Sequence, residues 1–421
     1  RSIEKAINYE NIMNAVVAQL GARMHYAVPR ILHEVGLLNR LYTDICAVKG
    51  WPRWLQVLPR SFRAGGVERL LGRVPDGIPQ DRITAFTNFG ARYVWERFRA
   101  SSHSETIAAH LWAGRTFGRH VLSDGLAGAD TVYTFNSAGL ELLQYADKHG
   151  LKGIVEQTIA PRRYEWRILD EEQARHPAWE ERTKKGRHAS DFIEREEKEW
   201  EHADMIVCGS AFVRDGIAEC GGPVGKCIVV PYGVDTRFSI SHRSSHRGSL
   251  RVLTVGTVGL RKGAPYVLEV AKECGSQANF RMVGSVGVSD PARAELERHV
   301  DLIGRIPRSE IQRHYAWADV FLLPSICEGS ATVTYEALAA GLPVICTPNT
   351  GSVVRDEVEG FIVPIRDSEA MTERILQLAQ DEELRRVMGA KARTRYDRVA
   401  SLEAYAERLL SAVKGPTVEL Q

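Results

Sequence analysis

Short apolar runs set off by polar turns recur along this chain, and most are followed by a segment of helical period. Val16-Val17-Ala18-Gln19-Leu20 predicts a strand, Gly21-Ala22-Arg23 a turn, and the pattern after it a helix through about Glu34. Further strands are predicted at 131–135, 153–155, 204–208 and 226–230, with a helix at 211–219. Pro231-Tyr232-Gly233-Val234-Asp235 supplies turn residues, and the polar stretch 239–249 reads as a linker. A second series of strands follows at 250–255, 280–283, 300–303, 320–323, 344–346 and 361–363. Strands alternating with helices predict parallel sheets wound by helices. The fold class expected is therefore α/β, with two doubly wound, Rossmann-like domains facing a cleft. No internal repeat of roughly 20–50 residues is present, which excludes solenoids and propellers.

Two places in the second half carry chemistry. Val320-Phe321-Leu322-Leu323 reads as a buried strand and 331–340 as the helix behind it. Glu328 falls in the turn between them, and Glu336 lies roughly two turns along the helix. Ligands bind at such carboxyl ends of strands, and Gly329 leaves the backbone open to close approach. The stretch Gly256-Thr257-Val258-Gly259-Leu260-Arg261-Lys262-Gly263-Ala264 also follows a strand and opens a helix. A glycine-rich turn of this kind cradles phosphate. Its spacing fits neither the dinucleotide fingerprint nor the Walker A loop. Arg261 and Lys262 would give a departing diphosphate its cationic donors.

Glu-x7-Glu in the context Pro-Ser-x-x-Glu-Gly…Glu-Ala-x-Ala-x-Gly-x-Pro-Val resembles the donor-site signature of retaining GT-B glycosyltransferases of family 4. The stretches 203–213, 231–235, 304–307, 315–319 and 324–325 also resemble family segments, whereas 45–200 is much less typical. The resemblance implies that Glu336 holds the ribose hydroxyls of a nucleotide sugar and that Glu328 lies against the transferred sugar. Lys262-Gly263 matches the family's Lys-Gly; Thr257 stands where the family has Arg, so Arg261 is the expected substitute. Gly21, Gly256, Arg305, Ile306, Gly329, Ser330, Ala331 and Thr332 complete the expected donor contacts. Gly21 corresponds to the family's glycine loop, and Arg305 with Ile306 to its base-side loop. Ser330-Ala331 departs from the more frequent Phe-Gly. The family's sugar-side histidine is missing from 153–159, leaving His25 and Glu156 as acceptor or sugar candidates, each with a structural role as the alternative.

What the resemblance implies overall is a hexosyl transfer from a UDP- or GDP-sugar to a hydroxyl acceptor in polysaccharide, glycolipid or glycoconjugate synthesis. It implies a retaining, same-face reaction with Glu328 positioning the sugar, no metal and no cofactor beyond the co-substrate. It also implies that the last helix, within 400–421, joins the first domain (1–238), leaving 239–399 as the donor domain. The alternatives are a non-catalytic nucleotide-sugar-binding protein and another GT-B enzyme such as a sugar-nucleotide epimerase.

Composition narrows the partners. A net charge of +2, with 26% charged and 44% hydrophobic residues, gives no global pull toward nucleic acid. No apolar run approaches the roughly 20 residues that span a bilayer. Seven cysteines without any Cys-x-x-Cys pair fit reduced, cytoplasmic thiols. Neither the histidines nor the acids show metal-ligand spacing. Between Lys49 and Arg73, six basic residues face Glu68 alone, six minus one or +5, with Trp51, Trp54 and Phe62 among them. That composition suits an anionic membrane surface near a lipid-linked acceptor, which would make the protein peripheral on the inner face of the membrane. RNA or a plain solvated helix would fit the same composition, although no nucleic acid is expected as a partner. The acidic stretch 194–201 reads as a solvated helix face.

Overall fold

The computed structural model describes residues 13–57, 59, 65–182, 185–235 and 248–414. The first sheet comprises β1 (Ala15–Gln19), β2 (Leu38–Thr43), β3 (Ile83–Ala85), β4 (Thr131–Phe135), β5 (Lys152–Gln157), β6 (Met205–Cys208) and β7 (Cys227–Val229). Its strand order is β3-β2-β1-β4-β5-β6-β7, with parallel pairing from β3 through β5. The second comprises β8 (Leu250–Val255), β9 (Ala278–Val283), β10 (Val300–Gly304), β11 (Val320–Leu323), β12 (Val344–Cys346) and β13 (Gly360–Ile362). Its order is β10-β9-β8-β11-β12-β13, parallel throughout. Strand order reverses between β1 and β4 in one sheet and between β8 and β11 in the other. Crevices at such reversals are where doubly wound sheets bind ligands.

Every predicted strand is present. β2 and β3 are additional: β2 reads Leu-Asn-Arg-Leu-Tyr-Thr, and its half-buried Asn39 and Arg40 interrupt the apolar run that marks a buried strand. β3 reads Ile-Thr-Ala, which has no apolar run to mark it.

The described residues pack as two compact units. One holds the residues through Glu156, those from Lys185 to Val207, and the helix end from Val413; the other holds Gln157 to Arg182 and Cys208 to Ala412. The boundary expected at 238/239 lies outside the described residues. In the first unit Val16, Ala18 and Val132 of the sheet meet Phe117, Val121 and Leu142 from covering helices. In the second, Val252, Phe280, Val320 and Leu322 pack against Val267, Val270 and Ile375. The predicted C-terminal helix runs Leu402–Lys414. Just before it, Ala400 accepts from Val234 N–H at 2.9 Å, and Tyr396 donates its hydroxyl to Val234 O at 3.1 Å.

The acidic stretch 194–201 is a correction. It belongs to the helix Ala189–His202, and Glu196 and Glu199 are buried, not solvated. The Glu199 carboxylate accepts from Ser137, Gly139 and Leu140 N–H at 2.7, 2.9 and 3.1 Å. Those groups precede and open the helix Leu140–His149, whose first N–H groups have no intrahelical partner. Arg195, also buried, grips both oxygens of Glu141 at 2.9 and 2.6 Å.

Candidate functional site in the second unit

The carboxyl ends of β8 and β11 converge at the reversal of the second sheet, and glycines explain how closely. A side chain at Gly256 would meet the Lys262 chain at 2.9 Å, so the glycine lets that lysine lie across the strand end. Gly263 has φ +72°, and a Cβ there would fall 2.1 Å from Pro324 O. Ile326 N–H donates to Arg261 O at 2.9 Å, tying the basic turn to the exit of β11.

That tie brings the charges together. Lys262 Nζ lies 2.8 Å from Glu328 Oε1, and Arg261 Nη1 lies 3.5 Å from the same oxygen. Lys262 and Glu328 are each 8% exposed. Burial pulls the Lys262 pKa down, while Glu328 opposes that shift. Thr257, at the position of the missing arginine, is exposed and pairs with the Ser285 hydroxyl at 3.2 Å. Glu180, from the segment after β5, accepts from Leu260 N–H at 2.6 Å at the start of the basic turn.

The Glu328–Gly329 turn is held from three sides within this unit. Ala160 N–H donates to Glu328 O at 3.4 Å. Ser210 donates its hydroxyl to Gly329 O. A Cβ at Gly329 would stand 2.1 Å from Thr158 O, so only glycine passes here. Ser330 pairs with the Tyr335 hydroxyl, Ala331 N–H donates to Thr350 O at 3.0 Å, and Thr332 opens the helix Thr332–Ala339.

Glu336 sits on that helix, 4% exposed. Tyr315 donates its hydroxyl to Oε2 at 2.9 Å, and Arg308 Nη2 reaches Oε1 at 3.1 Å. Burial pushes the carboxyl pKa up, with Arg308 and Tyr315 opposing. Two carboxylate oxygens offer about four acceptor sites, so further donors such as vicinal hydroxyls can still be accepted. Arg305 and Ile306 follow β10 directly, Arg305 exposed and Ile306 half-buried.

Of the residues expected in the site, Arg261, Lys262 and Glu328 form one ionic cluster. Gly256 underlies it, and Gly329 to Thr332 continue from it to the helix of Glu336. Sequence reading named none of Arg308, Tyr315, Ser210 and Glu180 as site residues, although Tyr315 and Ser210 lie within the family-like segments 315–319 and 203–213. Arg308 had a signal, since it is the next residue after the 304–307 segment.

Gly21, His25 and Glu156 belong to the first unit. Gly21 has φ +77° at the end of β1, and its N–H donates to Asp44 Oδ1 at 2.9 Å. Met24, His25 and Tyr26 then follow with φ of 44°, 51° and 61°, three left-handed non-glycine residues in a row. Each costs roughly 1–3 kcal/mol, and such strain clusters at ligand sites. His25 is exposed. Glu156 is buried and accepts from the Tyr133 hydroxyl at 2.5 Å.

In the basic segment 49–73, Trp51 and Trp54 are exposed on a 3-10 turn, Trp51–Val57. Arg73 instead pairs inward with Asp44 at 3.2 Å. Arg60, Phe62 and Arg63 lie outside the described residues. Among the described residues no three or more His, Cys, Asp or Glu side chains gather as metal ligands. No helix among them is long and apolar enough to cross a membrane.

Residues 238–395 match the family described as Glycosyl transferases group 1. The amylovoran biosynthesis glycosyltransferase AmsK of Erwinia amylovora is 30% identical over 179 residues, which is 38% of this chain and 44% of that protein. The matched stretches span about half the length of the curated relatives. Among solved structures, sucrose-phosphate synthase from Thermosynechococcus elongatus aligns with a TM-score of 0.62 at 17% identity, covering 95% of this chain and 98% of that one. HepE of Anabaena in complex with UDP and glucose aligns with a TM-score of 0.60 at 14% identity, covering 96% and 100%. At these identities the likeness is one of fold, and the fold is GT-B: two Rossmann-like domains.

Proposed function

We propose that this chain moves a hexosyl group from a UDP- or GDP-sugar to a hydroxyl acceptor, with retention of configuration and without a metal, as a family 4 enzyme. One observation carries the reading: a buried lysine–glutamate pair, with a second cation beside it, on a glycine turn at the sheet's reversal. The match of 238–395 to Glycosyl transferases group 1 and the relative named for amylovoran biosynthesis support it.

In this reading Glu336 accepts from the ribose hydroxyls, and Arg305 and Ile306 flank the base. Arg261 and Lys262 face the diphosphate. The bond from the anomeric carbon to the diphosphate oxygen breaks, and its electron pair leaves with the nucleoside diphosphate. The two cations stabilise the charge that develops there, the stage at which fixed donors contribute most. The acceptor oxygen bonds to the anomeric carbon from the same face, and its proton passes to the departing phosphate. Glu328 positions the sugar and holds Lys262 in place. The acceptor is a hydroxyl of a growing polysaccharide or glycolipid, and residues 49–73 hold the chain on an anionic membrane surface near it.

A panel of UDP- and GDP-hexoses, incubated with membrane extract as acceptor source in the presence of chelator, tests this. UDP or GDP release that needs one sugar and the extract is expected. Release lost in chelator and restored by Mg²⁺ or Mn²⁺ would overturn the metal-free assignment. Binding without release would favour a nucleotide-sugar-binding protein, the alternative to which the Ser330-Ala331 departure points.

A further inference from the structure

The helix Thr87–Arg99 of the first unit leaves apolar residues of its C-terminal half exposed. Val94, Trp95 and Phe98 are 51%, 50% and 87% exposed, and positions three and four apart share one helix face. Phe89, by contrast, is buried against Trp112 and Phe117. Soluble monomers rarely leave large contiguous apolar residues in water, and such a patch marks an interaction surface.

The charges around the patch select its partner. The helix carries Arg92, Arg97 and Arg99 against Glu96, three minus one or +2, and Glu105 of the following helix, beside Arg99, brings the local balance to two minus one or +1. The Arg99 guanidinium lies 4.4 Å from the Trp95 ring centroid and Arg97 lies 5.8 Å from that of Tyr93. Aromatic rings with arginines beside them match the acyl–headgroup boundary of an anionic bilayer, where rings enter the boundary and guanidinium groups meet phosphates. The exposed turn Trp51–Val57 begins beside this helix. A Cβ at Gly50 would meet Thr87 Oγ1 at 2.8 Å. On that turn Trp54 and Val57 are 64% and 79% exposed, with Arg53 lying 4.8 Å over Trp54.

We infer that the helix Thr87–Arg99 lies in the interface plane of an anionic membrane and is the main docking element of the first unit, with Trp95 and Phe98 as anchors. The inference deepens the membrane reading given above, and it rests on that reading for the existence of a lipid surface. It moves the principal contact from the basic segment 49–73 to a helix outside it.

Flotation of the full chain with phosphatidylcholine vesicles, with and without phosphatidylglycerol, at low and high salt, tests it. The wild-type chain is expected to float with the anionic vesicles at low salt and to be released by high salt. The Trp95→Ser/Phe98→Ser pair is expected to lower partitioning roughly tenfold or more, as lost burial of two aromatic side chains requires. Arg97→Glu/Arg99→Glu is expected to remove the preference for anionic lipid, while Trp54→Ser, on the neighbouring turn, is expected to lower partitioning less than the helix pair does. A wild-type chain that stays with neither vesicle would overturn the membrane reading as a whole. A wild-type chain that binds as well as both helix variants do would overturn the helix assignment alone. Concentration-dependent dimers by light scattering, abolished by Phe98→Ser, would give the face to a second copy of the chain instead.

Discussion

Lys262 and Glu328 stand 2.8 Å apart with 8% exposure each, so neither can lose its partner cheaply. Breaking a buried ion pair by removing one side costs about 3–5 kcal/mol, because the other charge stays behind. Lys262→Ala should therefore lower the denaturation midpoint and, among the molecules that remain folded, lower kcat by about 10²–10³ through lost stabilisation of the leaving diphosphate. Unchanged kcat at saturating donor would take Lys262 away from the diphosphate. Glu328, Glu336 and Lys262 were legible because each sits in a short motif with its turn glycine or helix beside it. Arg308 and Tyr315 reach Glu336 from 28 and 21 residues away, and Glu180 reaches Leu260 from 80. Partners that distant are set by the sheet's topology and leave no local spacing to read.

At the scale of elements, helix Ala189–His202 shows why charge runs mislead. Glu194, Glu196, Glu197, Glu199 and Glu201 look alike in sequence, yet helical period turns Glu196 and Glu199 inward with Phe192, Arg195 and Trp200. Glu199 then does what an N-cap residue within the helix Leu140–His149 would otherwise do, accepting N–H groups at its start. Glu199→Gln would point an amide NH₂ at one of these donors. Burial raises the Glu199 pKa to about 7, so at a pH of about 8, where it is ionised, we expect a loss of about 1.5–3 kcal/mol, the range for hydrogen bonds to a charged group, seen as a lower urea midpoint with an unchanged slope. An unaltered midpoint would mean that the contact contributes nothing. Strands were legible where the apolar run was unbroken, as in β11 and β12, or broken by single polar residues only, as in β4 and β8. β2 was hidden by Asn39 and Arg40, which its position in the sheet leaves half-buried.

At the scale of the whole chain, alternating strands and helices made two doubly wound sheets legible, whereas strand order was not. The order depends on which non-adjacent strands pair, such as β1 with β4 and β8 with β11, and periodicity carries no information on that. Order matters for function, because the reversal between β8 and β11 is what sets the basic turn beside Glu328. By the proposed function, this reversal binds a nucleoside diphosphate, with Glu336 accepting from its ribose. Calorimetric titration of UDP and GDP into the wild-type chain and into Glu336→Gln, repeated as pH is lowered, tests it most directly. One of the two nucleotides should bind, and the variant should bind it about 10–100-fold more weakly, the equivalent of hydrogen bonds to a charged acceptor. Wild-type affinity should also fall relative to the variant as pH drops through a midpoint above the ordinary glutamate range, because burial raises the Glu336 pKa and protonation removes an acceptor. No binding of either nucleotide, or equal affinity and an equal pH profile in the two proteins, would contradict the account.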